Sequence, residues 1–158
     1  MAVYGVSVQN PYSRTRLASM ACPAMPTCGL ALAESERALP AVLTRVEGLL
    51  EELGMGNEEL IIRMTGCPNG CARPYMAEVA FVGKAPNKYQ IYLGGNEAST
   101  RMNRLYKDSV KGDDLMAELR VVLARYLKER PPGERFGDFC ARVVWKEAAA
   151  AGHGEKGA

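Results

Sequence analysis

Four of the five cysteines of this 158-residue chain sit in two proline-rich loops. The first reads Ala21-Cys22-Pro23-Ala24-Met25-Pro26-Thr27-Cys28-Gly29 and the second Thr65-Gly66-Cys67-Pro68-Asn69-Gly70-Cys71-Ala72-Arg73-Pro74. Proline fixes its own φ and biases the residue before it away from helix, so neither loop can be absorbed into a helix. Any fold open to this chain must carry both stiff segments as irregular structure. The spacing is C-x5-C, then 38 residues, then C-x3-C, and the second loop follows directly on a strand-like run at 60–64.

The remaining elements are read from hydrophobic period. Leu39, Val42, Leu43, Val46, Leu49, Leu50 and Leu53 recur at steps of three and four, which is an amphipathic helix. Pro40 suits its first turn and Gly54 the position after its end. Residues 29–37, rich in Ala, Leu and Glu, predict two helical turns, and 3–8 a short strand. Strands are expected at 60–64, 77–82 and 88–93, the last with Tyr89, Ile91 and Leu93 on one face and Lys88, Gln90 and Tyr92 on the other. Residues 83–87 are short enough for a hairpin, and Gly94-Gly95-Asn96 reads as a turn. A helix is predicted over 101–110. Asp113 is expected to cap the next one, in which Leu115, Leu119, Val122, Leu123, Tyr126 and Leu127 share a face up to Pro131-Pro132. A short helix or strand over 136–145 would pack through Phe136, Phe139, Val143 and Trp145, and 148–158 reads as a disordered tail. The expected fold is α+β, a small, mostly antiparallel sheet flanked by helices, with the two cysteine loops forming a cofactor site. Its expected divisions are a lead-in at 1–18, one domain over 19–146 and a tail from 147.

Bulk properties narrow the function. A chain of this length can bury roughly 68–70% of its unfolded surface in one core. The net charge of +2 is too small to argue for nucleic acid or an anionic membrane, and no stretch approaches a membrane span. The first twenty residues lack the apolar core of a secretory signal, so a cytoplasmic location is expected, where clustered cysteines favour metal or redox chemistry over disulfides.

Four thiolates can hold zinc or an iron–sulfur cluster. The x5 loop is wider than usual zinc spacings. A cubane cluster is wider than one ion and needs ligands spread over loops whose backbone can approach its sulfides, which proline and glycine between cysteines allow. A cluster leads, with zinc and unliganded or disulfide-bonded cysteines left open. Cys140, between Phe139 and Ala141, reads as a buried structural thiol. The single histidine, His153, lies in the tail, so catalysis through a placed imidazole is excluded. A haem bound here would need a non-histidine axial ligand, with cysteine thiolate the leading candidate.

These residues resemble a known family. Residues 21–29 with Ala33-Glu34-Ser35-Glu36-Arg37 look like the first cluster loop of sirohaem-dependent sulfite reductases, and residues 63–74 look like the second. Phe81-Val82-Gly83-Lys84-Ala85-Pro86, Tyr92-Leu93-Gly94-Gly95-Asn96, Arg104-Leu105-Tyr106-Lys107 and residues 133–139 extend the likeness over 19–145. Nitrite reductases of the superfamily share the cysteine spacing, but typically carry Ser-Cys-Gly where this chain has Gly70-Cys71-Ala72, and Thr-Gly where it has Pro23-Ala24. The resemblance is therefore to the sulfite branch, the haemoprotein subunit of the assimilatory NADPH enzyme above all.

The resemblance implies that Cys22, Cys28, Cys67 and Cys71 hold one 4Fe-4S cluster and that the Cys71 sulfur is also the proximal ligand of sirohaem iron. Thr65 and Asn69 become secondary cofactor contacts, and the reaction a six-electron reduction of sulfite to sulfide. The implied partners are an NADPH-flavoprotein subunit, or alternatively a ferredoxin, and the amino-terminal half of the haemoprotein. That half supplies the basic groups around sirohaem's carboxylates and the anion. Arg63, Arg73 and Lys84 are the basic residues nearest the loops, and no catalytic residue is assigned. The chain is expected to be the carboxy-terminal piece of such an enzyme, not competent alone. A stand-alone electron-transfer module, or a product with empty or zinc-filled cysteines, is the alternative.

Overall fold

A computed structural model describes residue 5 and residues 10–150. The strand expected at 3–8, His153 and the last eight residues of the tail lie outside the described residues. The elements in order are α1 (Arg14–Leu17), β1 (Met20–Ala21), α2 (Leu39–Glu52), β2 (Ile62–Thr65), β3 (Val79–Ala85), β4 (Lys88–Leu93), β5 (Arg104–Lys111), α3 (Leu115–Glu129), α4 (Phe136–Phe139) and α5 (Trp145–Ala150). A π-helical stretch, Cys140–Val144, joins the last two helices.

The fold is α+β, as expected, with one difference in its sheet. The five strands lie in chain order, and β1–β2 and β2–β3 are parallel while β3–β4 and β4–β5 are antiparallel. The sheet is mixed because parallel neighbours need a crossover of a dozen or more residues, and the chain provides two. The first cysteine loop with α2 carries β1 to β2. Residues 66–78, which contain the second cysteine loop, carry β2 to β3.

One face of the sheet holds the core. Ile62, Met64, Phe81, Ile91 and Leu93 point to this side and pack with Val46 and Leu50 of α2 and Leu119 and Leu123 of α3. Pro40 falls in the first turn of α2, and Gly54 follows it in a left-handed conformation at φ 73°. Period 3.6 meets period 2 across one apolar layer, which is why these elements were legible. The opposite face carries a smaller cluster of Ile61, Ala77 and Ala80.

Several expectations need correction. Residues 101–110 are not helical: β5 runs from Arg104 to Lys111. It is an edge strand, and its mixed charged and apolar side chains follow neither period cleanly, so pairing with β4 decides its conformation. Residues 29–37 form turns rather than helix, since the Leu32, Ala33 and Glu36 amides donate to carbonyls of other segments. Asp113 sits in a 3-10 turn and makes no side-chain cap, and Leu127 is 42% exposed. The segment after Phe136 is helical, and its end, including 148–150, is ordered as α5.

The amino end of β3 is closed by a buried ion pair. Glu78 is fully buried and accepts from the Ile61 and Gly137 amides at 3.0 and 3.1 Å, and from Arg135 at 3.0 and 3.2 Å. Trp145 donates its indole N–H to the Leu93 carbonyl at 3.0 Å. Together these bonds dock the carboxy-terminal helices onto the sheet.

Candidate metal centre

The other end of the sheet carries the cysteines. β1 and β2 are adjacent and parallel, and each runs at its carboxyl end into one cysteine loop. In open sheets with parallel strands, ligands sit outside the carboxyl ends, where the exit loops supply contacts.

The two loops are stitched together by backbone. The Cys22 amide donates to the Met64 carbonyl at 3.2 Å, and Leu32 and Ala33 both donate to the Gly66 carbonyl, at 2.8 and 3.0 Å. Fully buried Ser35 adds its hydroxyl to the Met64 carbonyl at 2.7 Å. The fit leaves no room for side chains at two glycines. A Cβ on Gly66 would lie 2.6 Å from both the Ala24 Cβ and the Ala33 carbonyl oxygen, and one on Gly83 would lie 2.3 Å from the Gly66 carbonyl oxygen.

The second loop turns through two left-handed residues, Gly70 at φ 73° and Arg73 at φ 50°. Tyr75 braces it, donating its hydroxyl to the Pro68 carbonyl at 2.9 Å and packing edge-on against Tyr92 at 5.2 Å. Burial, with Tyr92 and Cys67 nearby, pushes the Tyr75 phenol above its ordinary pKa, so it stays a donor at neutral pH. Arg63 reaches from β2 to donate to the Arg73 carbonyl at 3.0 Å.

All five cysteines are free thiols. Cys22, Cys28 and Cys67 are half-buried and Cys71 is exposed. Two of the sulfurs already receive hydrogen bonds, Cys22 from the Gly66 amide and Cys71 from the Asn69 side-chain amide, both at 3.3 Å. Such donors stabilise thiolate charge and are the usual outer contacts of sulfur ligands. Thr65 is fully buried and its hydroxyl has no partner. An orphaned donor two residues before Cys67 fits a group that would sit against it. Among the described residues, no three His, Cys, Asp or Glu side chains converge as a single ion would require. Cys140 is fully buried in the core, and burial raises its pKa far above the ordinary thiol value, so it is inert packing, as expected.

The structure brings the two loops together and holds Thr65 and Asn69 within the second. Sequence reasoning missed the contacts that Ser35 and Tyr75 make and the Gly66–Gly83 approach. A glycine inside a strand pattern signals close backbone approach, so Gly83 could have been found; Ser35 and Tyr75 carry no comparable signal. Of the basic residues singled out, Lys84 pairs with Asp108 at the surface, whereas neither Arg63 nor Arg73 has an ion pair among the described residues.

Known proteins resemble the chain in sequence and in fold. No protein-family model matches the chain. It is 56% identical over 139 residues to the sulfite reductase (NADPH) hemoprotein beta-component of Staphylococcus epidermidis, covering 88% of this chain and 24% of that one. The Bacillus subtilis protein of the same name is 50% identical over 140 residues, covering 89% and 24%. Over nearly all of its own length the chain is similar to one stretch of these haemoproteins. It spans about a quarter of the length of these relatives. Its fold is also that of the Mycobacterium tuberculosis NirA protein, with a TM-score of 0.74 and 25% identity over 90% of this chain and 28% of NirA. The mixed sheet and its two cysteine-bearing crossovers are the features that bring the two loops together. No described helix is long and apolar enough to cross a membrane.

Proposed function

We propose that this chain is the cofactor-holding, carboxy-terminal part of a sulfite reductase haemoprotein, in which Cys22, Cys28, Cys67 and Cys71 would hold one 4Fe-4S cluster and the Cys71 sulfur would also ligate sirohaem iron. One observation carries the reading: two cysteine loops leave the carboxyl ends of adjacent parallel strands and are stitched backbone to backbone, with N–H donors already on Cys22 and Cys71. When bound, these two groups supply the one-electron steps of a six-electron reduction of sulfite to sulfide.

The chain's own residues have definite tasks in this reading. The Gly66 amide and the Asn69 side chain draw charge from the Cys22 and Cys71 sulfurs and fix their orientation. Thr65, buried and unpartnered, donates to the bound centre. Tyr75 and the left-handed turn at Arg73 hold Cys67 and Cys71 on one loop edge. Cys71, the exposed member, is the sulfur that a second iron can reach. Basic groups that hold the anion would come from the rest of a longer protein, and the electrons from an NADPH-flavoprotein subunit or, alternatively, a ferredoxin.

Sulfite is favoured over nitrite because the relatives at 50–56% identity are named for sulfite. Structural zinc has less support, because the C-x5-C loop is wider than usual zinc spacings. Anaerobic reconstitution of the purified chain with iron, sulfide and sirohaem, followed by absorption spectroscopy and metal analysis, tests the reading. Haem bands together with iron and labile sulfide are expected. Iron and sulfide without haem would make the chain an electron-transfer module, and zinc or no metal would overturn the proposal.

A further inference from the structure

Arg63 stands apart from the other arginines of the fold. Seven described arginines pair with a carboxylate. Arg14, Arg37, Arg73 and Arg104 are exposed to water. Arg45 caps the Gly112 and Asp113 carbonyls. Arg63 alone among the described arginines is half-buried with no carboxylate, and its Nε is buried without any partner. Its side chain lies on the sheet face opposite the main core, under the crossover that carries the second cysteine loop. There its one hydrogen bond goes to the Arg73 carbonyl, two residues beyond Cys71. Burial and the neighbouring Arg73 charge both press its pKa down, so the cation is held where the empty chain disfavours it. A half-buried cation next to a second cation costs stability unless an anion lies close by.

We propose that Arg63, with Arg73 beside it, is the internal counter-charge of the Cys67–Cys71 loop, left without a carboxylate so that an anionic thiolate-ligated centre neutralises it. This rests on the reading of the four cysteines as one iron–sulfur centre. Four thiolates around such a centre leave it net negative, and a cation fixed beside the loop favours both its retention and its more reduced, more negative state. Arg63 is a positioning residue and touches no reacting atom. Its role is electrostatic, and the hydrogen bond to Arg73 keeps the charge against the loop.

The test compares the reconstituted 158-residue chain with Arg63→Met, which keeps the length and removes the charge, and Arg63→Lys, which keeps the charge. Four quantities are read: the urea midpoint of the empty chain, the urea midpoint of the loaded chain, the reduction potential by spectroelectrochemistry, and the rate of iron release to a chelator. Arg63→Met is expected to lower the loaded midpoint more than the empty one, to shift the potential to more negative values, and to speed iron release about 10–100-fold, the range typical of lost outer contacts. Arg63→Lys restores the potential. Equal losses in the loaded and empty midpoints with an unchanged potential would make Arg63 a packing residue and overturn the proposal alone. A wild-type chain that takes up no iron and sulfide would overturn the reading of the cysteines and this proposal with it.

Discussion

The amino and carboxyl ends of the parallel strands treat polar groups in opposite ways. At the amino end, Glu78 is fully buried, and its two oxygens share four hydrogen bonds with Ile61, Gly137 and Arg135. At the carboxyl end, fully buried Thr65 has no partner and the Cys71 sulfur is exposed with one donor aimed at it, while Arg63, mid-strand under the second loop's crossover, has no carboxylate. Both ends are well packed, so the contrast is not one of order against looseness. A fold can place its stability where every donor is answered and leave its unanswered donors where a ligand belongs.

The sharpest way to break this comparison is at Glu78. Replacing it with Ala leaves two buried amides without their acceptor and takes from Arg135 its one buried carboxylate, and is expected to cost about 3–5 kcal/mol in urea unfolding, the range for breaking a buried pair. A loss as small as that of a surface change would mean that the closed end is not where stability resides. Next comes Gly83→Ala. Its Cβ would meet the Gly66 carbonyl at 2.3 Å, and overpacking of this kind costs about 1–3 kcal/mol. Because Gly66 belongs to the stitched loops, iron uptake should fall with stability, and intact uptake would separate the loops from the sheet edge.

Smaller effects test the open end. Cys71→Ala should change the stability of the empty chain by no more than about 0.5 kcal/mol, as expected for an exposed side chain. A larger loss would make Cys71 structural. The smallest effect concerns pH. Hydrogen bonding to Arg16 holds the Glu47 carboxyl below its ordinary value of 4.5, so its contribution is present above that pH and lost as pH falls through the lower folded value. The effect should stay under about 1 kcal/mol, since the pair is only partly buried. Glu47→Gln should flatten that limb of the stability curve without changing iron uptake.

How much of this could be read from residues alone depended on whether the information was local. Leu39 to Leu53 and Tyr89, Ile91 and Leu93 announce themselves through period, and the structure places each on the core face. The cysteines announce a centre by type and spacing. Parallel pairing of β1, β2 and β3 is not local, because nothing in Met20-Ala21 or Ile62–Thr65 says which strand lies alongside. Strand β5 was hidden for a related reason: Lys107, Asp108 and Lys111 suit a solvent-facing edge, and that edge exists only once β4 is in place. Arg63 is legible in the sequence only as a basic residue near the second loop. An unpaired arginine is ordinary in a sequence and becomes informative only when its neighbours are known.

The central claim is that the two stitched loops form one iron–sulfur centre that includes Cys71 and excludes Cys140. Iron and labile sulfide should therefore be measured after anaerobic reconstitution of the wild-type chain, Cys71→Ala and Cys140→Ala side by side. The account predicts iron and sulfide in the wild type and in Cys140→Ala, and their loss in Cys71→Ala. Full iron and sulfide in Cys71→Ala, or zinc in place of iron in the wild type, would contradict it.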